Sequence, residues 1–98
     1  MDGIYQALAH ETRREILGLL ARGEMSAGEI AQHFDIAKPT LSGHLAKLHQ
    51  AGLVRSRRDG TRIIYSMNMT IAEELVFNFL RIIGRPASAA EKDKSNGD

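Results

Sequence analysis

The sequence predicts a mainly α-helical domain with one small β-hairpin. Three observations predict it. Apolar residues recur at helical spacing through four early segments. The period changes to strand-like alternation on both sides of Asp59-Gly60, and helical spacing returns from Thr70. With 98 residues, 43% hydrophobic and 26% charged, the chain has the size and balance of one globular domain.

Ile4, Tyr5, Leu8 and Ala9 mark a short first helix. A second helix runs from about Glu11 to Ala21 with Ile16, Leu17, Leu19 and Leu20 as its stripe, and Gly23 stops it. Ser26 and Glu29 have capping-box spacing, ahead of a third helix carrying Ile30, Ala31 and Phe34. Asp35-Ile36-Ala37 breaks the pattern, and Pro39 suits the first turn of a fourth helix, about Pro39 to Gln50. There Leu41, Leu45 and Leu48 face inward, leaving Lys38, Thr40, Ser42, Gly43, His44 and Lys47 pointing mostly elsewhere.

Leu53–Arg58 and Thr61–Met67 read as antiparallel strands joined at Asp59-Gly60, with arginines near the tip. Asn68 or Thr70 caps a last helix, about Thr70 to Ile83, with Thr70 and Glu73 at capping-box spacing. That helix bears two stripes: Ile71, Leu75, Phe79 and Ile82, and beside them Ala72, Val76, Leu80 and Ile83. One stripe docks a helix on a small domain, so the second implies another copy of the chain. Residues 1–84 form the domain, and 85–98, without a large apolar residue, read as a disordered tail.

The chemistry excluded is broad. The chain has no cysteine, hence no disulfide, thiolate metal site or thiol sensor. No apolar run approaches the ~20 residues of a membrane span, and no signal peptide is visible, so a cytoplasmic protein is expected. His10-Glu-Thr-Arg-Arg14 begins like a zinc-protease motif but places arginine where the second histidine belongs. His44 and His49 are five apart on one helix and cannot chelate one ion together. Ser42 lacks the flanking glycines of a nucleophile elbow, and no phosphate-cradling loop exists. No enzyme is expected.

Charge is unevenly placed. Residues 38–62 hold Lys38, Lys47, Arg55, Arg57, Arg58 and Arg62 against Asp59 alone, while both flanking segments are net acidic. A basic block of this kind is a footprint for phosphate. The order helix, helix, helix, turn, helix, hairpin, helix is the plan of a winged helix-turn-helix. One helix fits the major groove of duplex DNA, and a basic hairpin tracks the neighbouring backbone or minor groove.

The chain resembles the ArsR/SmtB family of bacterial transcriptional repressors. The resemblance is carried by Leu8-Ala-His-Glu-Thr-Arg-Arg-Glu-Ile-Leu17, Met25-Ser-Ala-Gly-Glu-Ile-Ala31, Ala37-Lys-Pro-Thr-Leu-Ser-Gly-His-Leu45, Leu48-His-Gln-Ala-Gly-Leu-Val54 and Arg58-Asp-Gly-Thr-Arg-Ile-Ile-Tyr65, in order. It looks closest to the SdpR-like autorepressor subgroup, which lacks metal sites. The resemblance implies a homodimer on double-stranded operator DNA, an inverted repeat by symmetry. Thr40, Ser42, Gly43, His44 and Lys47 match the exposed face of the recognition helix, with Lys38 at its start. Arg55, Arg57, Arg58, Gly60 and Arg62 match the wing. The first and last helices would form the dimer interface, through Ile4, Tyr5 and Leu8 and through Ile71, Leu75, Val76, Phe79, Leu80, Ile82 and Ile83.

The chain also departs from the family. Ser26-Ala27-Gly28 stands where many members place a Cys-x-Cys metal site, and the last helix has Glu73 and Glu74 but no histidine. No metal and no cofactor are expected. Relief of repression then falls to a protein partner that sequesters the dimer, or to an organic ligand between the dimer helices. Gly43 replaces a usual polar residue at a helix-propensity cost of ~1 kcal/mol. The rival to a repressor is a winged-helix protein-interaction module without specific DNA binding, which has no need of wing arginines.

Overall fold

The computed structural model describes residues 2–84, so the expected tail lies outside the described residues. In chain order the elements are α1 (Asp2–Leu8), α2 (Glu11–Leu20), β1 (Met25–Ser26), α3 (Ala27–Ala31), α4 (Lys38–Gln50), β2 (Val54–Asp59), β3 (Arg62–Met67) and α5 (Met69–Ile82).

Each helix starts where the local chemistry dictates. His10 caps α2, its Nδ1 accepting from Thr12 N–H at 3.1 Å. At α3 the Ser26 hydroxyl accepts from Glu29 N–H at 3.1 Å, and the Glu29 carboxylate accepts from Ser26 N–H at 2.8 Å. This reciprocal box pulls the Glu29 carboxyl below its ordinary pKa, first through the Ser26 backbone and then its hydroxyl, with Arg62 adding to it. The α4 helix opens on Lys38-Pro39, one residue before the expected start.

The core gathers Ile16, Leu20, Ile30, Leu41, Leu45 and Leu48 from α2, α3 and α4. Ile4 and Ala7 join it from α1, and Leu53 and Val54 from the chain entering β2. Gly52 (φ +81°) makes the left-handed turn that lets the chain leave α4 and start β2.

Two expectations are corrected and one open alternative is resolved. The sheet has three antiparallel strands in the order β1-β3-β2, not two. The added strand pairs Met25 with Tyr65 and Ser26 with Ile64. Two residues carry no readable period, so this strand exists only because β3 offers it a ladder. At the wing tip Asp59 pairs with Arg62, so the connecting residues are Gly60-Thr61, with Gly60 at φ +66°. The cap of α5 is Asn68, whose Oδ1 accepts from Ile71 N–H, and Thr70 lies inside the helix.

No residue of α5 is buried. Ile71 and Leu75 rest against the edge of the core. Val76, Phe77, Phe79, Ile82 and Ile83 are exposed, Phe77 to 71%. Asn78 on α5 donates to the Tyr5 hydroxyl at 2.9 Å, linking α5 to α1. Ile4 corrects the interface expectation. It is a buried residue of this chain's own core, and Leu8 is half-buried beside it.

Candidate nucleic-acid interface

The α4 helix divides into two arcs. At ~100° per residue, Leu41, His44, Leu45 and Leu48 fall on one side and are buried. Lys38, Thr40, Ser42, Gly43 and Lys47 are exposed on the other, as expected from their positions between the leucines. Ala46, His49 and Gln50 share that exposed arc. Sequence reasoning passed over them, although Ser42 and His49 stand at i and i+7, the spacing of one face. Ala37 gives α4 no side-chain cap. The first-turn N–H groups, with Lys38 beside them, are therefore open to an anion.

His44 is the clearest correction to the site. Expected on the exposed face, it is only 9% exposed. Leu41, His44 and Leu48 stand at i, i+3 and i+7, a core spacing in its own right that the polarity of imidazole disguised. Its Nδ1 lies 3.2 Å from Nη1 of Arg13. The same guanidinium donates through Nε to the Ala7 carbonyl at 2.6 Å and through Nη2 to the Gln6 carbonyl at 3.1 Å. Arginine has no acceptor, so Nδ1 accepts and His44 carries its proton on Nε2. The His10 ring lies against it, centroids 4.3 Å apart. Burial, followed by the charges of His10 and Arg13, pushes the His44 pKa below its ordinary 6.5.

Strand alternation sorts the wing arginines. Arg58 is opposite Ile63 and Ser56 opposite Tyr65, on the face that leads to Tyr65, Met67 and the core. On that face Ser56 and Tyr65 join Ser42, Leu45, Ala46, His49 and Gln50 of α4 around a groove of about 280 Å³. Arg55, Arg57 and Arg62 share the opposite face, where Ile64 is buried. There Arg57 pairs with Glu24 at 2.8 Å and Arg62 with Glu29 at 3.7 Å. Arg55 reaches the Asn68 amide oxygen at 3.5 Å. Arg58 forms no ion pair among the described residues and stands on the α4 side. Gly60, at the tip, is exposed.

Ser26, Ala27 and Gly28 line the start of α3. Among the described residues, no group of three or more His, Cys, Asp or Glu side chains is placed to hold a metal ion.

A helix-turn-helix braced by three further helices, a basic wing and an exposed polar face on the second motif helix define a winged-helix DNA-binding regulator. Residues 10–56 match the model described as "Bacterial regulatory protein, arsR family". The chain is 41% identical over 85 residues to the transcriptional repressor SdpR of Bacillus subtilis, spanning 87% of this chain and 94% of that one. It is 34% identical to an arsenical resistance operon repressor of Staphylococcus aureus over 98 residues, 100% of this chain and 94% of that protein. The crystal structure of an ArsR family transcriptional regulator superposes with a TM-score of 0.71 at 32% identity, covering 83% of this chain and 92% of that one. The chain belongs to the ArsR family.

Proposed function

We propose that the protein is a homodimeric transcriptional repressor that binds an inverted-repeat operator. The α4 helix enters the major groove, and the wing meets the flanking backbone or minor groove. The observation that carries this reading is the common side shared by Arg58 and the exposed arc of α4 across one groove. Phosphate attraction supplies affinity, and Thr40 and Ser42 offer hydroxyls to base edges. The relatives named as repressors support the same direction of control.

Dimerisation follows from α5. A run of exposed Val76, Phe77, Phe79, Ile82 and Ile83 along one helix is the kind of apolar surface that marks a protein interface. Two-fold pairing would place two α4 helices on successive major-groove turns, about 34–36 Å apart. No described helix is long and apolar enough to cross a membrane. The repressor reading places the protein in the cytoplasm, with release from DNA assigned to a sequestering protein partner.

The test is fluorescence anisotropy at several salt concentrations. It compares the duplex upstream of the protein's own coding sequence with a shuffled duplex of equal composition. A preference of ~10³-fold or more for the native duplex supports an autorepressor. Equal, weak and steeply salt-dependent binding to both duplexes, and then to other promoter duplexes, favours the protein-interaction module.

A further inference from the structure

We propose that His44 is a positioning residue for DNA recognition: as a neutral imidazole it locks the middle of α4 to the α1–α2 junction through Arg13, and protonation opens that lock. This role rests on the DNA-binding reading above.

The geometry gives a four-part knot. Arg13 spends one arm of its fork on the Ala7 and Gln6 carbonyls, the last turn of α1, and the other on His44 Nδ1. One guanidinium therefore ties α1 and α2 to the recognition helix. His44 lies one residue beyond Gly43 and two beyond Ser42, both on the exposed arc. Any release of its ring rotates or lifts the part of α4 that faces the groove. Thr40 and Lys47, one turn before and just under one turn after it, move with it.

The charges around the ring set the direction. From α2 come Arg13 and, at the helix start, His10. From α1 come the Gln6 and Ala7 backbone carbonyls, already taken by Arg13. On α4 the i+3 neighbour is Lys47. Among the described residues, no carboxylate is among the groups acting on His44. A second proton would place an N–H of Nδ1 against a guanidinium N–H, donor against donor, beside a second imidazole. The neutral ring is the form that fits, in keeping with its depressed pKa.

The opposite trend is expected from surface charge alone. Any positive charge that the exposed surface gains as pH falls tightens attraction to DNA. A loss of affinity on acidification therefore has a distinctive source. His44→Asn keeps an acceptor near the Nδ1 position and removes the titration. His10→Asn keeps a good helix cap and removes the neighbouring charge.

The experiment has two arms on the full-length chain. In the first, NMR of the imidazole nitrogens reads the tautomer and titration of His44 in the unbound protein. In the second, anisotropy reads the upstream duplex from about pH 7.5 to about pH 5.5 for wild type, His44→Asn and His10→Asn, with circular dichroism as the check on folding. The expected results are a His44 proton on Nε2 and titration of His44 below the ordinary 6.5. Wild type then loses affinity by about tenfold, the scale of one hydrogen bond to a charged group. His44→Asn holds or gains affinity, and His10→Asn shifts the wild-type loss to higher pH, because the neighbouring charge that opposes the His44 proton is gone.

A proton on Nδ1 at neutral pH, or identical pH profiles for wild type and His44→Asn, overturns the lock. The NMR arm decides this without any variant having to fold. A wild-type protein that shows no duplex preference at about pH 7.5 overturns the DNA-binding reading instead, and the lock is then judged by the NMR arm alone.

Discussion

Arg57 and Arg58 are adjacent in sequence and stand on opposite faces of the wing. Arg57 is held by Glu24 at 2.8 Å, whereas Arg58 shares the face of Ser56 and Tyr65 that opens toward α4. Arg58→Ala should weaken binding about equally on all sequences and lower the salt slope by about one phosphate's worth. Arg57→Ala should change the slope less, because its charge is already half spent on Glu24. Salt titrations of both variants check this, and an equal loss of slope would reverse the assignment of the two faces.

Gly43 offers two effects of opposite sign. A Cβ built there meets nothing within 4 Å, and the residue is exposed in mid-helix. Gly43→Ala should therefore stabilise the fold by about 0.5–1 kcal/mol. If the bare backbone serves close approach to the groove floor, the same variant loses operator affinity. Thermal melts and anisotropy on one preparation check both. A gain in stability with unchanged affinity would leave the glycine without a role in recognition.

Phe79→Glu should give a monomer. Phe79 is 53% exposed, so the change leaves the core intact and falls on the face proposed for pairing. Leu75 is the poorer choice, because it also rests on the core. Sedimentation velocity reads the outcome. A folded Phe79→Glu dimer would move the interface off α5.

Leu48→Ala should cost about 2–5 kcal/mol, the range for large-to-small changes at a fully buried aliphatic site. Urea denaturation measures it, and a cost below ~1 kcal/mol would mean that α4 relaxes around the gap.

The Ser26–Glu29 box sets an acid limb of stability. The folded state holds the Glu29 pKa below 4.5. Its contribution is present above the ordinary carboxylate range and is lost as pH falls through the depressed folded value. Denaturation from neutral to acid pH should fall less steeply for Glu29→Gln than for wild type. Ser26→Ala should cost about 0.5–2 kcal/mol at neutral pH. His44 works in the same direction at higher pH. Its stabilisation is full above 6.5 and declines as pH falls through its lowered value.

Legibility in the sequence followed the length of each pattern. The helices of Ile16, Leu41 and Leu45 and the hairpin around Gly60 were readable because several residues repeat one period. Met25–Ser26 was not, since a two-residue strand is defined by its partner Tyr65 and Ile64 and by nothing local. The exposed arc of α4 was readable from its three leucines, yet His44 was misplaced because its partner Arg13 lies 31 residues away. The arginines were legible as a block. Their division between two faces needed the register Arg57–Ile64 and Arg58–Ile63.

The short β1–β3 ladder has a topological consequence. Pairing Ser26 with Ile64 closes a loop that contains α3, α4, β2 and the wing tip. Every residue proposed for DNA contact therefore lies inside one ring of chain, shut by two residue pairs, with α1, α2 and α5 outside it. A nascent chain that has extruded α4 but not Tyr65 has the reading helix without its clasp. The proposed recognition surface is complete only when the last strand of the sheet is made, just ahead of α5.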